Sequence, residues 1–182
     1  MIKWIWGLAG VSCFAATLAL AGFEEVKFPA GYQADFVRYA VIDKPKKKKV
    51  RYFYVNPDAL AKARAGAPLP SGTVVIMEDH PAVLDDKGQP VKDAQGRLIP
   101  TATVTNVFVQ ERRTGWGTQH AAEVRNAEWE YAWYTADGKP KVSKKTGKVV
   151  TFGKCMACHK KMAAQDFNFT LSPFVAKVKG SN

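Results

Sequence analysis

Residues 155–159 read Cys-Met-Ala-Cys-His, and this short stretch has the most specific chemistry in the chain. Two thiols three residues apart lie on one side of a helical turn, where both can add to the vinyl groups of a single haem. The histidine that follows is then placed to bind the iron as the proximal ligand. The pattern predicts one covalent c-type haem, with Cys155 and Cys158 forming the thioethers and His159 ligating the iron.

Two other uses of the cysteine pair were considered. A redox disulfide of the thioredoxin type is expected near a βαβ pattern, which the sequence does not show. Half of a zinc site would need a second ligand pair at suitable spacing, and neither His80 nor His120 belongs to such a pair. The sequence therefore favours haem.

The N-terminal segment has the pattern of a secretory signal. An apolar run follows Lys3 and ends in Ala-Leu-Ala at residues 19–21, which is typical of a cleavage site. We expect a signal peptide over residues 1–21, a single domain over 22–182, and a periplasmic location, where c-type haems are attached. The alternative is a retained anchor, although the run is shorter than the ~20 residues of a spanning helix. Cys13 would be removed with the signal.

The chain is basic, with a formal net charge of +11 at pH 7. Export and the scattered lysines argue against nucleic-acid binding. The densest run, Lys46 to Lys49, is interpreted as a solvated turn between two strands. It could also steer an acidic redox partner or contact an anionic membrane surface.

Most elements that must position the haem site are predicted strands. The fold class is mainly β (α+β), an antiparallel sheet with a few short helices and the haem on a C-terminal helix. Strands are predicted at 50–55, 73–78, 103–111 and 128–134, and residues 34–42 are predicted to form a helix or a strand. A helix is predicted from Pro57 to Gly66, capped by Asn56. Residues 79–99 are predicted to form a polar excursion or hairpin with turns at 86–88 and 93–96.

Several motifs along the chain carry a family resemblance. They are the strand followed by Asn-Pro at 56–57, Pro-Ser-Gly-Thr-Val-Val-Ile-Met-Glu at 70–78, Gly-Trp-Gly at 115–117, Arg-Asn-Ala-Glu-Trp-Glu at 125–130, and the C-terminal Cys-x-x-Cys-His followed by Asp-Phe-Asn-Phe at 166–169. In this order they resemble the cytochrome P-460 family. The resemblance implies a mostly antiparallel β fold, commonly a homodimer, with one five-coordinate c-type haem.

The resemblance also implies one of two activities. Cytochromes P-460 proper have a lysine cross-linked to the haem and oxidise hydroxylamine to nitric or nitrous oxide, whereas cytochromes c-prime-beta lack the link and bind nitric oxide or carbon monoxide under apolar caps. The cross-linking lysine should fall within residues 79–84, which contain none; Lys87 and Lys92 are nearest and are interpreted as turn residues. A distal carboxylate is expected near 107–109, where the chain is apolar.

Nitric oxide binding or detoxification is therefore the favoured expectation, with hydroxylamine oxidation as the alternative. The candidates for the distal pocket are Phe36, Arg51, Val83 and Phe108. A second alternative is a six-coordinate electron-transfer cytochrome in which His80, expected in a loop, or Met77 binds the iron. His120 is expected to face solvent.

Overall fold

The computed structural model describes residues 26–118, 120–150 and 153–180. No helix within these ranges is both long enough and apolar enough to cross a membrane. The predicted signal peptide lies outside the described residues and stays a prediction, as does the periplasmic location.

The described chain is organised around one five-stranded sheet. Its elements are α1 (Tyr32–Asp35), β1 (Val37–Lys44), a 3-10 turn (Pro45–Lys47), β2 (Lys49–Val55), α2 (Pro57–Lys62), β3 (Val74–Pro81), β4 (Asn106–Arg112), β5 (Trp129–Tyr134), α3 (Gly153–His159), a 3-10 segment (Lys160–Gln165) and α4 (Leu171–Lys179). The strands follow one another in the order β1-β2-β3-β4-β5, and every neighbouring pair is antiparallel. The predicted fold class, a mainly β antiparallel sheet with a few short helices, is confirmed.

Several predicted elements have different boundaries. The strand predicted at 103–111 is β4, which begins at Asn106 and ends at Arg112. The segment 34–42 divides at Phe36 into the end of α1 and most of β1. The helix predicted to reach Gly66 ends at Lys62, because the chain is already extended at Ala63. Strand β3 continues to Pro81, so Asp79 and His80 pair with β2 instead of opening a loop.

Asn56 does not cap α2 as predicted. Its Nδ2 donates to the carbonyl of Gly72 at 3.1 Å, and its Oδ1 accepts from the amide of Val74 at 2.9 Å. The side chain therefore joins the end of β2 to the start of β3, since it satisfies two backbone groups at the strand margin that have no partner in the ladder.

The strand register sorts side chains onto two faces, because successive residues of a strand point to opposite sides. On one face Phe53, Met77, Phe108 and Trp133 are cross-strand neighbours in a single row. We call this row the apolar row. It forms one wall of the cavity described below.

Each face is covered by other elements. The helices α2, α3 and α4 pack on the face of the apolar row, in a core made of Val55, Ala59, Ala63, Leu69, Val75, Trp129, Tyr131, Met156, Leu171 and Val175. The segment before β1, which includes α1, packs on the opposite face, in a core made of Val26, Tyr32, Tyr54, Ile76, Val107, Val109, Ala132 and Tyr134. At 25 cal/mol per Å² of buried apolar area, such cores are the main stabilising contribution to folding.

The predicted excursion between β3 and β4 is an arm with two tight turns. The carboxylate of Asp85 accepts from two backbone amides in the first turn, and that of Asp93 does the same in the second. Arg97 then reaches back to β1, donating to Asp43 at 2.8 and 3.0 Å and to the carbonyl of Val41 at 3.2 Å. The arm therefore lies against the edge of β1.

Candidate functional site

A cavity of about 600 Å³ lies between the apolar row and helix α3. Its volume falls within the roughly 300–1,000 Å³ that is usual for cofactor and ligand sites. Cys155, Cys158 and His159 line its helical side, and all four members of the apolar row line its sheet side. The residues with the most specific chemistry in the sequence thus share one large, mostly apolar space.

Helix α3 presents both cysteines to this space because Met156 faces the other way. The Met156 side chain is 3% exposed within the core formed with α2 and α4. Its carbonyl accepts a hydrogen bond of 3.0 Å from Nδ2 of Asn126, a buried residue that precedes β5. Cys155 is half-buried and Cys158 is exposed, and both are free thiols. Burial raises the pKa of the Cys155 thiol to about 11.

The orientation of His159 is set by a backbone carbonyl. Its Nδ1 lies 2.7 Å from the carbonyl oxygen of Phe167. Since a carbonyl only accepts, Nδ1 carries the proton and Nε2 keeps its lone pair. The chain can place this carbonyl because Asp166 and Phe167 both have left-handed backbone conformations, with φ of 52° and 56°. A hydrogen bond on the second ring nitrogen is typical of a metal-binding histidine.

A polar network fixes that carbonyl in turn. The Phe167 oxygen also accepts a 3.0 Å hydrogen bond from Nε2 of Gln110 on β4, and Oε1 of Gln110 accepts from Nδ2 of Asn168 at 3.0 Å. Asn168 Oδ1 accepts from the backbone amides of Thr170 and Leu171 at the start of α4. Sequence reasoning did not identify Gln110 or this role for Asn168. The only signal was the Asp-Phe-Asn-Phe motif, which was noted for the resemblance alone.

The donor set of the cavity fits a c-type haem. Two free thiols and an imidazole with an available Nε2 line the same apolar space, which matches the two thioether bonds and the proximal ligand of such a group. The structure contains no disulfide between these cysteines. Within residues 26–118, 120–150 and 153–180 there is also no group of three or more histidine, cysteine, aspartate or glutamate residues that could hold a metal.

The four predicted distal residues separate into two pairs. Arg51 and Phe108 line the cavity. Phe36 does not, because it packs into the core on the opposite face of the sheet. Val83 does not either, because it lies on the arm, where it is 36% exposed. Phe53 and Trp133 line the cavity instead, and period-two alternation along β2 and β5 was the signal that could have identified them.

The charged groups on the cavity wall are all cationic. Lys44, Arg51 and Lys154 line it, whereas no aspartate or glutamate does so in the described parts of the chain. Arg51 is paired with the carboxylate of Asp79, which is 1% exposed. Asp79 accepts from Arg51 Nε at 2.8 Å and also from Lys49 Nζ. Asp79 is thus held by two cations rather than offered to a ligand.

His80 does not lie in a loop next to the distal region, as was expected. It is a β3 residue whose side chain is on the face opposite the apolar row. Its Nε2 lies 2.8 Å from Glu78 Oε1 and its Nδ1 lies 3.0 Å from the carbonyl of Thr101. Both ring nitrogens are therefore occupied outside the cavity, and His80 is not placed to bind iron there. Met77, the neighbouring candidate, does line the cavity.

The prediction that His120 faces solvent is also wrong. Its side chain is 9% exposed, and Nε2 lies 2.7 Å from Oε1 of Glu130, whose side chain is fully buried. A buried carboxylate needs such a partner, since an unpaired one would carry a large desolvation penalty. Lys87 and Lys92 are exposed residues of the arm, as their interpretation as turn residues implied, and neither lines the cavity.

The comparisons with known proteins point to one family. The family model described as Cytochrome P460 matches residues 29–170, which is most of the chain. No curated protein sequence matches the chain. The matched region includes the five strands and the Cys155–His159 stretch, and the family implies a haem cofactor with iron. The chain therefore belongs to the cytochrome P460 family.

Proposed function

We propose that this chain is an exported mono-haem c-type cytochrome whose distal iron position is open and binds nitric oxide. The observation that carries the proposal is the character of the cavity wall. Opposite His159 the wall is formed by the apolar row, and no described carboxylate lines the space. Such a wall suits a small neutral ligand, because it offers no protein base of the kind that proton-coupled oxidation uses.

When bound, the haem supplies an iron position that takes a small diatomic ligand. The residues of the chain would do the rest: His159 would bind the iron through Nε2, because its Nδ1 donates to the carbonyl of Phe167. Phe53 and Phe108 exclude bulk water from the other wall. Arg51, held at Nε by Asp79, supplies the guanidinium that can donate to a ligand carrying partial negative charge.

Hydroxylamine oxidation by a lysine-cross-linked haem is the second candidate. It is kept because Lys44 and Lys154 line the cavity, although neither lies in the segment 79–84 where the cross-link was expected. The absence of a described carboxylate on the wall counts against it, since several protons must leave hydroxylamine during its oxidation.

A six-coordinate electron-transfer cytochrome is the third candidate. It rests on Met77, whose side chain lies in the apolar row and lines the cavity. A thioether on the sixth position would close the site to gases.

We also propose that the protein forms a homodimer, as the family resemblance implies.

The test is the absorption spectrum of the purified, haem-loaded protein after reduction with dithionite, recorded alone, with carbon monoxide and with nitric oxide. The proposal expects a high-spin ferrous spectrum that shifts with either gas. Met77→Leu is the matched variant, because it preserves volume and polarity but removes the sulfur.

Each candidate gives a different result. A low-spin spectrum that becomes high-spin in Met77→Leu would replace gas binding with electron transfer. A strongly red-shifted ferrous Soret band, together with a haem that stays bonded to a lysine-containing peptide after proteolysis, would move hydroxylamine oxidation to first place. A protein that never incorporates haem would overturn the whole proposal.

A further inference from the structure

Two lysine-rich hairpins flank the cavity. The first follows β5: a bridge joins Tyr134 to Pro140, a second joins Val142 to Val149, and the chain then contributes Val150 to the cavity wall. Between residues 139 and 150 the sequence has five lysines, Lys139, Lys141, Lys144, Lys145 and Lys148, and no acidic residue. Only Lys139 is in an ion pair there, with Asp137.

The second hairpin is the turn between β1 and β2. Lys44, at the end of β1, lines the cavity, and Lys46, Lys47 and Lys48 follow after Pro45. Residues 44–49 contain no acid. Lys154, one residue before the first cysteine, lines the cavity as well. Lys48 is left out of this surface, because its Nζ donates to the carbonyl of Gly88 on the arm at 2.7 Å. We call Lys44, Lys46, Lys47, Lys141, Lys144, Lys145, Lys148 and Lys154 together the lysine collar.

The hairpin that follows β5 also presents two exposed apolar side chains. Val142 and Val149 are 48% and 40% exposed, and as a bridged pair they lie side by side on one face of their hairpin. Lys141 Nζ lies 5.9 Å from the ring centre of Trp133, a member of the apolar row. Lys141 and Val150 therefore join the hairpin that carries the valine pair to the wall of the cavity.

We propose that the lysine collar and the Val142–Val149 pair form the docking surface for an acidic protein that accepts one electron from the haem. The inference rests on the proposed function, since it requires iron in the cavity. In the step itself, ferrous iron loses one electron and becomes ferric, and the metal of the acceptor is reduced by one electron. No proton or other group is transferred.

A protein fits this surface better than a membrane does. Transient redox complexes bury less than about 1,200 Å², and they combine a small apolar centre with a charged rim that accelerates encounter. Membrane-surface binding uses a broad apolar face of an amphipathic helix, and the collar has only two short hairpins and two valines to offer. Because the collar lies next to the cavity, a protein docked on it would also lie close to the haem.

The experiment measures electron transfer from the reduced, haem-loaded protein to an acidic plastocyanin by stopped flow, over a range of ionic strength. Fluorescence anisotropy of labelled plastocyanin gives the affinity for the ferric protein independently of turnover. The test variant is Lys144→Gln/Lys145→Gln/Lys148→Gln. The control variant, Lys27→Gln/Lys62→Gln/Lys177→Gln, removes the same charge from exposed lysines outside the collar. Lys46→Gln/Lys47→Gln tests the opposite side of the cavity.

We expect the wild-type rate constant to fall with added salt, and the test variant to be slower by roughly tenfold at low ionic strength, which is the lower end of electrostatic steering. The control should change both rate and affinity much less, and Lys46→Gln/Lys47→Gln should slow the reaction as well. Equal losses in the test and control variants would mean that only net charge matters, and would overturn the proposal.

Two further measurements separate the causes of failure. Vesicles containing anionic lipid are offered in sedimentation assays; collar-dependent binding to vesicles without binding to plastocyanin would replace the protein partner with a membrane. Oxidation by ferricyanide and the carbon monoxide spectrum report on the haem itself. If these are normal while plastocyanin neither binds nor reacts, the docking surface fails and the proposed function stands.

Discussion

Replacing Gln110 by leucine tests whether the polar network behind His159 holds the site together. Gln110 is 6% exposed and makes two hydrogen bonds of 3.0 Å, one to the Phe167 carbonyl and one from Asn168 Nδ2. Leucine has a similar volume but can make neither bond. The carbonyl would keep its bond from His159, whereas the amide of Asn168, which is 1% exposed, would lose its acceptor.

The expected cost follows from these contacts. Losing the bond to Phe167 removes about 1 kcal/mol, and leaving the buried donor of Asn168 unpaired adds about 1–3 kcal/mol. Burial of the leucine returns about 1 kcal/mol. We therefore expect Gln110→Leu to lower the free energy of unfolding by about 2 kcal/mol.

The assay is urea unfolding of the haem-loaded protein at 25 °C, followed in parallel by far-UV circular dichroism and by the Soret band. Gln95→Leu, at an exposed turn residue of the arm, is the control and should change the free energy of unfolding by less than about 0.5 kcal/mol. Gln110→Glu adds a positional test. A carboxylate can still accept from Asn168 but cannot donate to Phe167, so the carbonyl shifts and the iron–histidine stretching frequency should change. A loss below about 0.5 kcal/mol in Gln110→Leu, with an unchanged frequency in Gln110→Glu, would refute the reasoning.

Three further predictions concern other parts of the molecule. Arg51→Leu should weaken azide binding to the ferric protein by roughly tenfold, since one charge-assisted hydrogen bond is lost. The affinity for carbon monoxide, measured by titration, should hardly change. Equal losses of affinity for both ligands would contradict the role of Arg51. The hydrogen bond to Glu78 raises the pKa of His80, although burial acts in the opposite direction. Burial acts to raise the pKa of Glu78, but the hydrogen bonds from His80, Tyr32, Tyr54 and Gln33 hold it below its ordinary value. The stability from this pair is therefore fully present between the ordinary values of about 4.5 and 6.5; it is lost above that range as pH rises through the raised pKa of His80, and below it as pH falls through the lowered pKa of Glu78. Urea unfolding at several pH values should show the alkaline decline in the wild type and none in His80→Gln. Gly117→Ala should lower the free energy of unfolding by about 2–3 kcal/mol, because φ is +81° and the new Cβ would lie 2.2 Å from the Ala127 carbonyl oxygen. Gly115→Ala, where φ is +87° but the space is open, should lower it by only about 1 kcal/mol. Equal losses in urea unfolding would show that the contact with Ala127 is irrelevant.

The sequence predicted what depends on local patterns. The Cys-x-x-Cys-His stretch needs one turn of helix, and the strand at 50–55 is visible from its aromatic and β-branched residues alone. The turns of the arm followed from Asp and Gly spacing. These features need no knowledge of what the segment packs against.

What could not be predicted depends on pairing between distant segments. Asp79 and His80 looked like the start of a loop, yet they pair with β2. Lys49 and Arg51 on β2 bind the carboxylate of Asp79, and Glu78 and the carbonyl of Thr101 bind the ring of His80. The Gln110–Phe167 bond joins residues 57 positions apart, and Phe53 becomes a cavity residue only through its register with Met77. Such contacts are set by the whole sheet, so the four distal candidates could be placed only in part.

The alternation along β3 has a consequence for how the sheet assembles. Met77 faces the cavity, whereas Glu78 faces the opposite core, where Tyr32 and Tyr54 donate to it at 2.5 and 2.7 Å. A slip of one residue would exchange these faces, putting a carboxylate into the cavity and stranding the two hydroxyls. The misaligned sheet would therefore be less stable than the correct one even without haem. The contacts of Glu78 with Tyr32 and Tyr54 thus favour the correct strand register without a cofactor, and the chain can form the cavity before haem is attached.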